Sequence, residues 1–541
     1  MTEHTPLNVS YGWEGLLAGT SRHRLEAINL VEFLPKQRWF AGKARKIDST
    51  QLVDWAALNS SHSALAVVGV QSGAASDAYF LPLALTLGVA GDEVEAAAPH
   101  CVVAPVVSGK TGGLLHDGVF DEQTCATLFS LIENNSELRT QKGRICATRG
   151  AAFQKILTSS QMPLSIRRSS AEQSNTSILY GDRFILKLFR RLESGVNPDA
   201  EIGRYLTEHT SFDRIPPFVG LIEYHPASDD EPQTLAMLQG FVANEGDGWK
   251  WTLEELDRYY ENCAAMPFPE TETIAPATNL SECSISHLAR DQVGIYLDAA
   301  ATLGRRTAEL HLALASPTPD PAFSPERFTS EDLKNLLLEI RQRAAKAFDA
   351  LKERVSQLPD EVVEVAALVL GQRRRILDIF GALNTGTLET QRIRIHGDYH
   401  LGQVLRVKTD FVILDFEGEP ARPLADRRSK QPPLKDVAGM LRSFSYAASA
   451  GFLNYTARHP EDVSRLEPWA QLWERSVAGE FLRAYRHCAQ GAMFCPVETV
   501  DFHTLLNVFL LDKAFYEVLY ELNSRPAWVR IPLMGIAALV A

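Results

Sequence analysis

The stretch from Arg394 to Asp415, RIHGDYHLGQVLRVKTDFVILD, constrains this chain more than any other. A short strand over Arg392–Ile395 runs into the turn His396-Gly397-Asp398. Two apolar runs follow, Val404–Val407 and Phe411–Leu414, and the polar Lys408-Thr409-Asp410 between them makes them a hairpin. The second run ends on Asp415, with Phe416 and Glu417 after it. Asp398 and Asp415 therefore stand at strand ends, with Gln403 between them. Phosphoryl transfer needs a base for the attacking hydroxyl and oxygen ligands for Mg²⁺, and these residue types supply both.

A second constraint lies two hundred residues upstream. In NTSILYGDRFILKLF (Asn175–Phe189) two β-type runs flank Gly181-Asp182, a two-residue hairpin signal. On the second run Phe184, Leu186 and Leu188 alternate with Ile185, Lys187 and Phe189. A lysine in so apolar a strand is costly unless paired. Asn197-Pro198-Asp199 then opens a helix carrying Glu201, with proline suited to its first turn. Alone, Lys187 reads more simply as an edge residue with its ammonium in water. Beside the Asp398–Asp415 stretch, lysine on a strand and glutamate on the next helix read as the pair that holds the α/β-phosphates of ATP.

The remaining chain sorts around these two stretches. At 541 residues it exceeds one ordinary core. Residues 1 to about 25 are polar and read as mobile. LPKQRWFAGKARKI (Leu34–Ile47) reads as a surface turn with an aromatic anchor. Short apolar runs to about Ser136 make a small β-rich unit, with a helix over Asp121–Ile132. Strands around Phe218–Tyr224 and Thr234–Val242 lead to a Gly- and acid-rich break at Asn244–Trp249, read as a hinge. Helical patterns dominate beyond it, interrupted by a loop at Met266–Ser286 and an irregular Gly418–Lys435. His311, on one of these helices, reads as a packed or capping residue. The expected fold is α+β: a β-rich N-lobe (139–243) and a mainly helical C-lobe (244–541), preceded by a β-rich N-terminal cap subdomain (1–138).

Net charge of −13 argues against nucleic acid or an anionic membrane as partner. Seven scattered cysteines without a C-x-x-C pair argue against a disulfide framework or zinc site. The first residues do not read as a targeting segment, and no apolar run is long enough to span a bilayer, so a cytoplasmic protein is expected. No nucleophile elbow, H-E-x-x-H or P-loop is present. His396 and His400 stand at i, i+4, but Gly397 and the flanking β pattern argue against the helix a metal pair would need. In the helix Leu511–Asn523, Lys513, Tyr516 and Tyr520 fall on the face opposite an apolar stripe, with Asn523 at its edge. Such a face suits a sugar if it lines the cleft, and solvent otherwise.

HGDYHLGQ, followed by ILDFEGEPARPL and LKDVAGMLRSFSYAA, closely resembles the maltokinases, sugar kinases with a protein-kinase-like fold akin to aminoglycoside phosphotransferases. The likeness extends to LPKQRWFAGKAR, EQSNTSILYGDRFILKLFRR, GFVANEGDGWKWTLEELDRYY and LLDKAFYEVLYELNSRPAWVRIPL, and so covers nearly the whole chain. It implies transfer of the ATP γ-phosphate, with Mg²⁺, to the anomeric hydroxyl of maltose, giving maltose 1-phosphate for α-glucan synthesis. A trehalose synthase or a glucan-extending enzyme would be a pathway partner. Residue by residue, it implies Asp398 as the catalytic base and Gln403 and Asp415 as metal ligands. Lys187, paired with Glu201, would hold phosphates. Ser174, Asn175, Thr176 and Ser177 would replace the Gly-rich loop, and Gln239–Val242 would meet adenine. His396, Glu417, Arg442, Lys513, Tyr516, Tyr520 and Asn523 are the implied substrate contacts. A kinase for glucosamine or glucose would use the same core. A regulatory pseudokinase is disfavoured because Lys187, Asp398, Gln403 and Asp415 occur together.

Overall fold

The computed structural model describes residues 6–9, 12–58, 62–157, 164–169, 174–228, 230–269, 284–382 and 389–540, with 272, 274, 280 and 282 between them. Glu172 and Gln173, and ten residues of the 266–286 loop, lie outside the described residues. Two compact units result: Met1–His209 with Pro216–Ala243, and Thr210–Ile215 with Asn244–Ala541.

The first unit holds two sheets. Strands β1 (Leu7–Asn8), β2 (Ser49–Ala57), β3 (Ser63–Ser72), β4 (Ala75–Leu87), β5 (Val102–Ser108) and β6 (Thr111–Asp117) lie in the order β1-β5-β6-β4-β3-β2. The second sheet comprises β7 (Glu137–Arg139), β8 (Gly143–Arg149), β9 (Ile166–Arg168), β10 (Thr176–Tyr180) and β11 (Phe184–Leu188). After β12 (Arg191–Leu192), which pairs with β4, it is completed by β13 (Phe218–Pro226) and β14 (Gln233–Gly240). Its order is β7-β8-β13-β14-β11-β10-β9, antiparallel throughout.

One core serves both sheets. The helix Glu122–Glu133 is capped by Asp121, whose carboxylate accepts from the Thr124 N–H. Its Cys125, Leu128, Phe129 and Ile132 join Leu65 and Phe80 of the first sheet and Ile178, Phe184 and Leu186 of the second in one cluster. Phe129 packs within 4.9 Å of the Tyr180 ring and 5.4 Å of Phe184. Asp54 on β2 accepts hydrogen bonds from Tyr224 Oη on β13 (2.8 Å), the Thr140 hydroxyl and the Lys142 N–H. Residues on either side of the expected 138/139 boundary are thus folded together.

Several sequence expectations need correction here. Within residues 1–25, expected to be mobile, Gly12–Leu17 and Thr20–Arg24 are helical, because Trp13, Leu16, Leu17 and Leu25 are buried in an apolar core. The β10–β11 turn spans three residues, Gly181–Arg183, with Gly181 at φ 59°. A short helix, Leu424–Arg428, interrupts the stretch expected to be irregular.

The second unit is mainly helical. Its helices include Ile295–Leu314, Ser330–Arg354, Leu434–Thr456, Val463–Cys488 and Thr499–Ser524. Ser330–Arg354 begins with a reciprocal capping box between Thr329 and Asp332. Its apolar face joins Val508, Leu511, Phe515 and Val518 of Thr499–Ser524 in one core, which orients the opposite face of the latter helix. The 394–415 stretch forms the expected hairpin, Val404–Val407 with Asp410–Ile413, on a two-residue turn with Lys408 at φ 57°. The strand before it is Thr390–Arg392, slightly earlier than expected. No helix among the described residues is long and apolar enough to cross a membrane.

Candidate active site

The first unit supplies Lys187. Strand β11 is buried on both faces, so the ammonium needs a counter-charge. Asp199 provides it, with Oδ2 3.0 Å from Nζ. The sequence expectation had been Glu201. Asp199 is 1% exposed, and Glu201, two residues further along the same helix, is half-buried. Asn197 sets this geometry, its side-chain oxygen accepting from the Asp199 N–H at 2.9 Å and capping the helix Pro198–His209.

Ser177 pairs with Lys187 in register. Its neighbour Thr176 faces the other way, as alternation in a strand demands, and its Oγ1 accepts from Arg190 Nε at 2.8 Å. This departs from its expected phosphate contact. Ser174 is exposed and Asn175 half-buried beside it. Gln239 lies on β14 opposite Ile185, and Val242 follows two residues after that strand ends. As a prediction, Lys187→Met raises KM for ATP at least tenfold. It also destabilises the first unit by about 3–5 kcal/mol, because a buried carboxylate loses its partner. Steady-state kinetics and urea unfolding report the two effects separately, and unchanged KM would remove Lys187 from the site.

The second unit supplies the carboxylates. One helix, Leu434–Thr456, shapes the loop that carries Asp398. Asp436 accepts from the His396 N–H (2.8 Å) and the Gly397 N–H (2.9 Å). Gly439 meets the loop where a Cβ would lie 2.7 Å from the Tyr399 carbonyl oxygen, so a larger residue would push the two apart. Ser443 Oγ accepts from the Leu401 N–H (3.0 Å). These three positions, i, i+3 and i+7, lie on one face. Behind Asp436 stands His311, buried, with Nε2 3.2 Å from Oδ2 and Nδ1 3.0 Å from Tyr485 Oη. Burial works against the Asp436 charge, yet His311, His396 and Gly397 outweigh it and hold the carboxyl below the usual Asp range.

Gln403 and Asp415 meet as expected, the amide Nε2 donating to Asp415 Oδ2 at 2.9 Å. Asp415 sits at φ 63°, a left-handed conformation rare outside glycine and concentrated at functional sites. The donated hydrogen bond orients the Gln403 amide so that its oxygen remains an acceptor. A carboxylate and an amide oxygen, with no nitrogen or sulfur donor, fit Mg²⁺.

Asp398 lines a pocket with Glu419, Lys435, Lys513 and Tyr516. Lys513 Nζ lies 3.5 Å from Asp398 Oδ1 and 3.3 Å from Glu419 Oε1, and 4.9 Å from the Tyr516 ring centroid. Burial opposes the Lys513 charge, but Asp398, Glu419 and Glu517 more than compensate and raise its pKa. Lys435 goes the other way, lowered to about 8 by burial and then by Arg422. For Glu419 burial is outweighed by Lys513 and Arg422, which hold it at about 2.

A depressed carboxyl stabilises fully above its ordinary value of 4.5, and that contribution disappears as pH falls towards 2. Glu419→Gln should therefore flatten the acid limb of stability by on the order of 3 kcal/mol. Urea midpoints measured from pH 6 down to pH 3 test this, and parallel curves for both proteins would refute it.

Three implied substrate contacts fall elsewhere. His396 is 1% exposed, its Nε2 2.8 Å from the Leu414 carbonyl oxygen and its Nδ1 3.4 Å from the Asp398 backbone nitrogen. Its ring braces the loop from behind. Arg442 is buried, with Nε and Nη2 2.9 and 2.8 Å from Glu517 Oε2, and so fixes the helix that carries Lys513. Asn523 spends its amide on the Leu519 carbonyl of its own helix. Tyr520 is 50% exposed and one turn, about 6 Å, beyond Tyr516. Glu417 is half-buried two residues after Asp415. The sequence reading missed Asp199, Glu419 and Asp436 as parts of the site, whereas His311, read as a packed residue, is buried with internal partners. The D-x-x-G-x-x-x-S spacing of Asp436, Gly439 and Ser443 was the signal available for one of them.

The fold is of the kinase-like phosphotransferase type, α+β with an N-terminal cap domain. Residues 273–473, which include Asp398, Gln403, Asp415 and Asp436, match the phosphotransferase enzyme family. Residues 33–121 match the maltokinase N-terminal cap domain, and the two matches together support a maltokinase/aminoglycoside-phosphotransferase-like superfamily. Among curated relatives, a glucosamine kinase of Streptacidiphilus jiangxiensis is 26% identical over 403 residues, 73% of this chain and 78% of the relative. One of Mycolicibacterium smegmatis is 24% identical over 394 residues, 73% and 84%. The fold matches a glucosamine kinase solved in complex with glucosamine, ADP and inorganic phosphate, with TM-score 0.59 and 20% identity over 91% of this chain and 94% of that one.

Proposed function

We propose that the protein is a sugar kinase that transfers the ATP γ-phosphate to the anomeric hydroxyl of maltose, yielding maltose 1-phosphate and ADP. Asp398 orients that hydroxyl and accepts its proton. Lys187, held by Asp199, neutralises the α/β-phosphates, and Gln403 and Asp415 hold Mg²⁺. The bound metal supplies charge neutralisation on the phosphate oxygens. The protein's own contribution is positioning and preset electrostatics.

The observation that carries the choice of acceptor is Lys513. Its ammonium lies between Asp398 and Glu419 in the pocket wall and already answers their charge, so a second cation brought by an amino sugar gains little there. A neutral sugar, with Tyr516 as an apolar platform, is the better partner. The names of the relatives favour glucosamine instead, which makes it the second reading. A coupled ADP-release assay with Mg-ATP against maltose, glucose, glucosamine and trehalose separates them. The expected result is the highest kcat/KM with maltose. Preference for glucosamine would overturn the acceptor. ATP binding without turnover on any sugar would point to a regulatory protein.

A further inference from the structure

The cap motif Lys36-Gln37-Arg38-Trp39 has no role in the proposed reaction, yet it lines a cleft of about 560 Å³ inside the first unit. Four cations, Lys36, Arg38, Arg168 and Arg190, face it against one carboxylate, Asp117. That concentration of positive charge stands out in a chain of net charge −13. Asp117 is already engaged, with Oδ2 2.7 Å from Arg190 Nη2. Lys36, Arg38 and Arg168 are exposed and have no acidic partner among the described residues. Arg168 lies over the Phe120 ring, 4.0 Å from its centroid, so its guanidinium is held in place. Arg190 is 1% exposed, 4.8 Å from the Trp39 ring, and its buried Nη1 has no hydrogen-bond partner. Buried donors are almost always satisfied, so an orphan at the floor of a cationic cleft points to a missing anion.

We propose that this cleft binds a small phosphate-bearing molecule. Guanidinium groups match phosphate oxygens in geometry and charge, and Phe120 offers an apolar wall for an attached ring. The site differs from the one around Lys187. Ser177 shares a sheet face with Lys187, whereas Thr176 turns to the opposite face and bonds Arg190. Asn175 and Thr176 line the cleft and belong to the segment expected to contact nucleotide, so any coupling between the two sites runs through them and is equal in both directions. This coupling, unlike the cleft itself, rests on the proposed kinase function.

Isothermal titration of the full-length protein with inorganic phosphate, pyrophosphate and glucose 1-phosphate tests the proposal at fixed ionic strength. The expected result is one site that persists when Mg²⁺ and a non-hydrolysable ATP analogue are saturating. Affinity should fall at least tenfold in Arg38→Gln and in Arg168→Gln, exposed positions whose substitution leaves Tm unchanged. Tighter binding of glucose 1-phosphate than of phosphate would mark an organic phosphate as the ligand, and the reverse would mark a free one. Lys187→Met should keep the anion while losing nucleotide. No binding at millimolar concentration, displacement by the ATP analogue, loss in Lys187→Met protein that circular dichroism shows to be folded, or full affinity in both arginine variants would overturn the site. Wild-type nucleotide affinity in Lys187→Met would overturn the proposed function and leave the cleft standing.

Discussion

Asp398→Asn should lower kcat by about 10²–10⁴-fold, the range for loss of a positioned general base, with ATP affinity within about twofold of wild type. Asparagine preserves the shape of the loop and a hydrogen bond to the acceptor, but it cannot take up the proton. The Asp398 side chain does not hold the loop, since the His396 and Gly397 N–H groups bond Asp436 and the Leu401 N–H bonds Ser443. Stability should accordingly change little. Single-turnover kinetics and titration with an ATP analogue separate chemistry from binding. A variant that turns over near the wild-type rate would remove Asp398 from the reaction.

Asp436→Ala should be destructive for a different reason. The carboxylate is buried and accepts two backbone N–H groups and His311. Removing it leaves these donors unsatisfied, an expected loss of about 3–5 kcal/mol in the unfolding transition of the second unit. Activity should fall with it, because the turn that presents Asp398 is no longer held. Asp436→Asn retains one acceptor oxygen and should lose less of both. Urea unfolding and kcat measured on the two variants test the order. Equal stability of wild type and Asp436→Ala would show that the network does not support the loop.

The parts of the site that follow from local pattern were legible in the chain. The Val404–Ile413 hairpin, with Gln403 before it and Asp415 after it, is set by short-range alternation and a polar turn. Lys187 could be read because a lysine within an apolar strand calls for a partner. The ion pair to Asp199, two residues before the expected Glu201, depends on the roll of a helix that no local spacing announces. Asp436 and His311 are 125 residues apart, and no local spacing announces that they will meet. The N-terminal helices were misread because their apolar residues are spread among polar ones and find their core only in tertiary contact. The family resemblance placed His396 and Arg442 at the substrate, whereas both are buried with internal partners.

The core shared by the two sheets of the first unit bears on how such chains can be cut and recombined. A splice at the 138/139 boundary would divide Asp54 from Thr140 and Tyr224, and Phe129 from Tyr180 and Phe184. Exchange of caps between relatives would need the helix Glu122–Glu133 and the surfaces on both sides of it to travel together. In this chain the cap is inherited with the lobe beneath it, and the two are constrained to diverge as a single module.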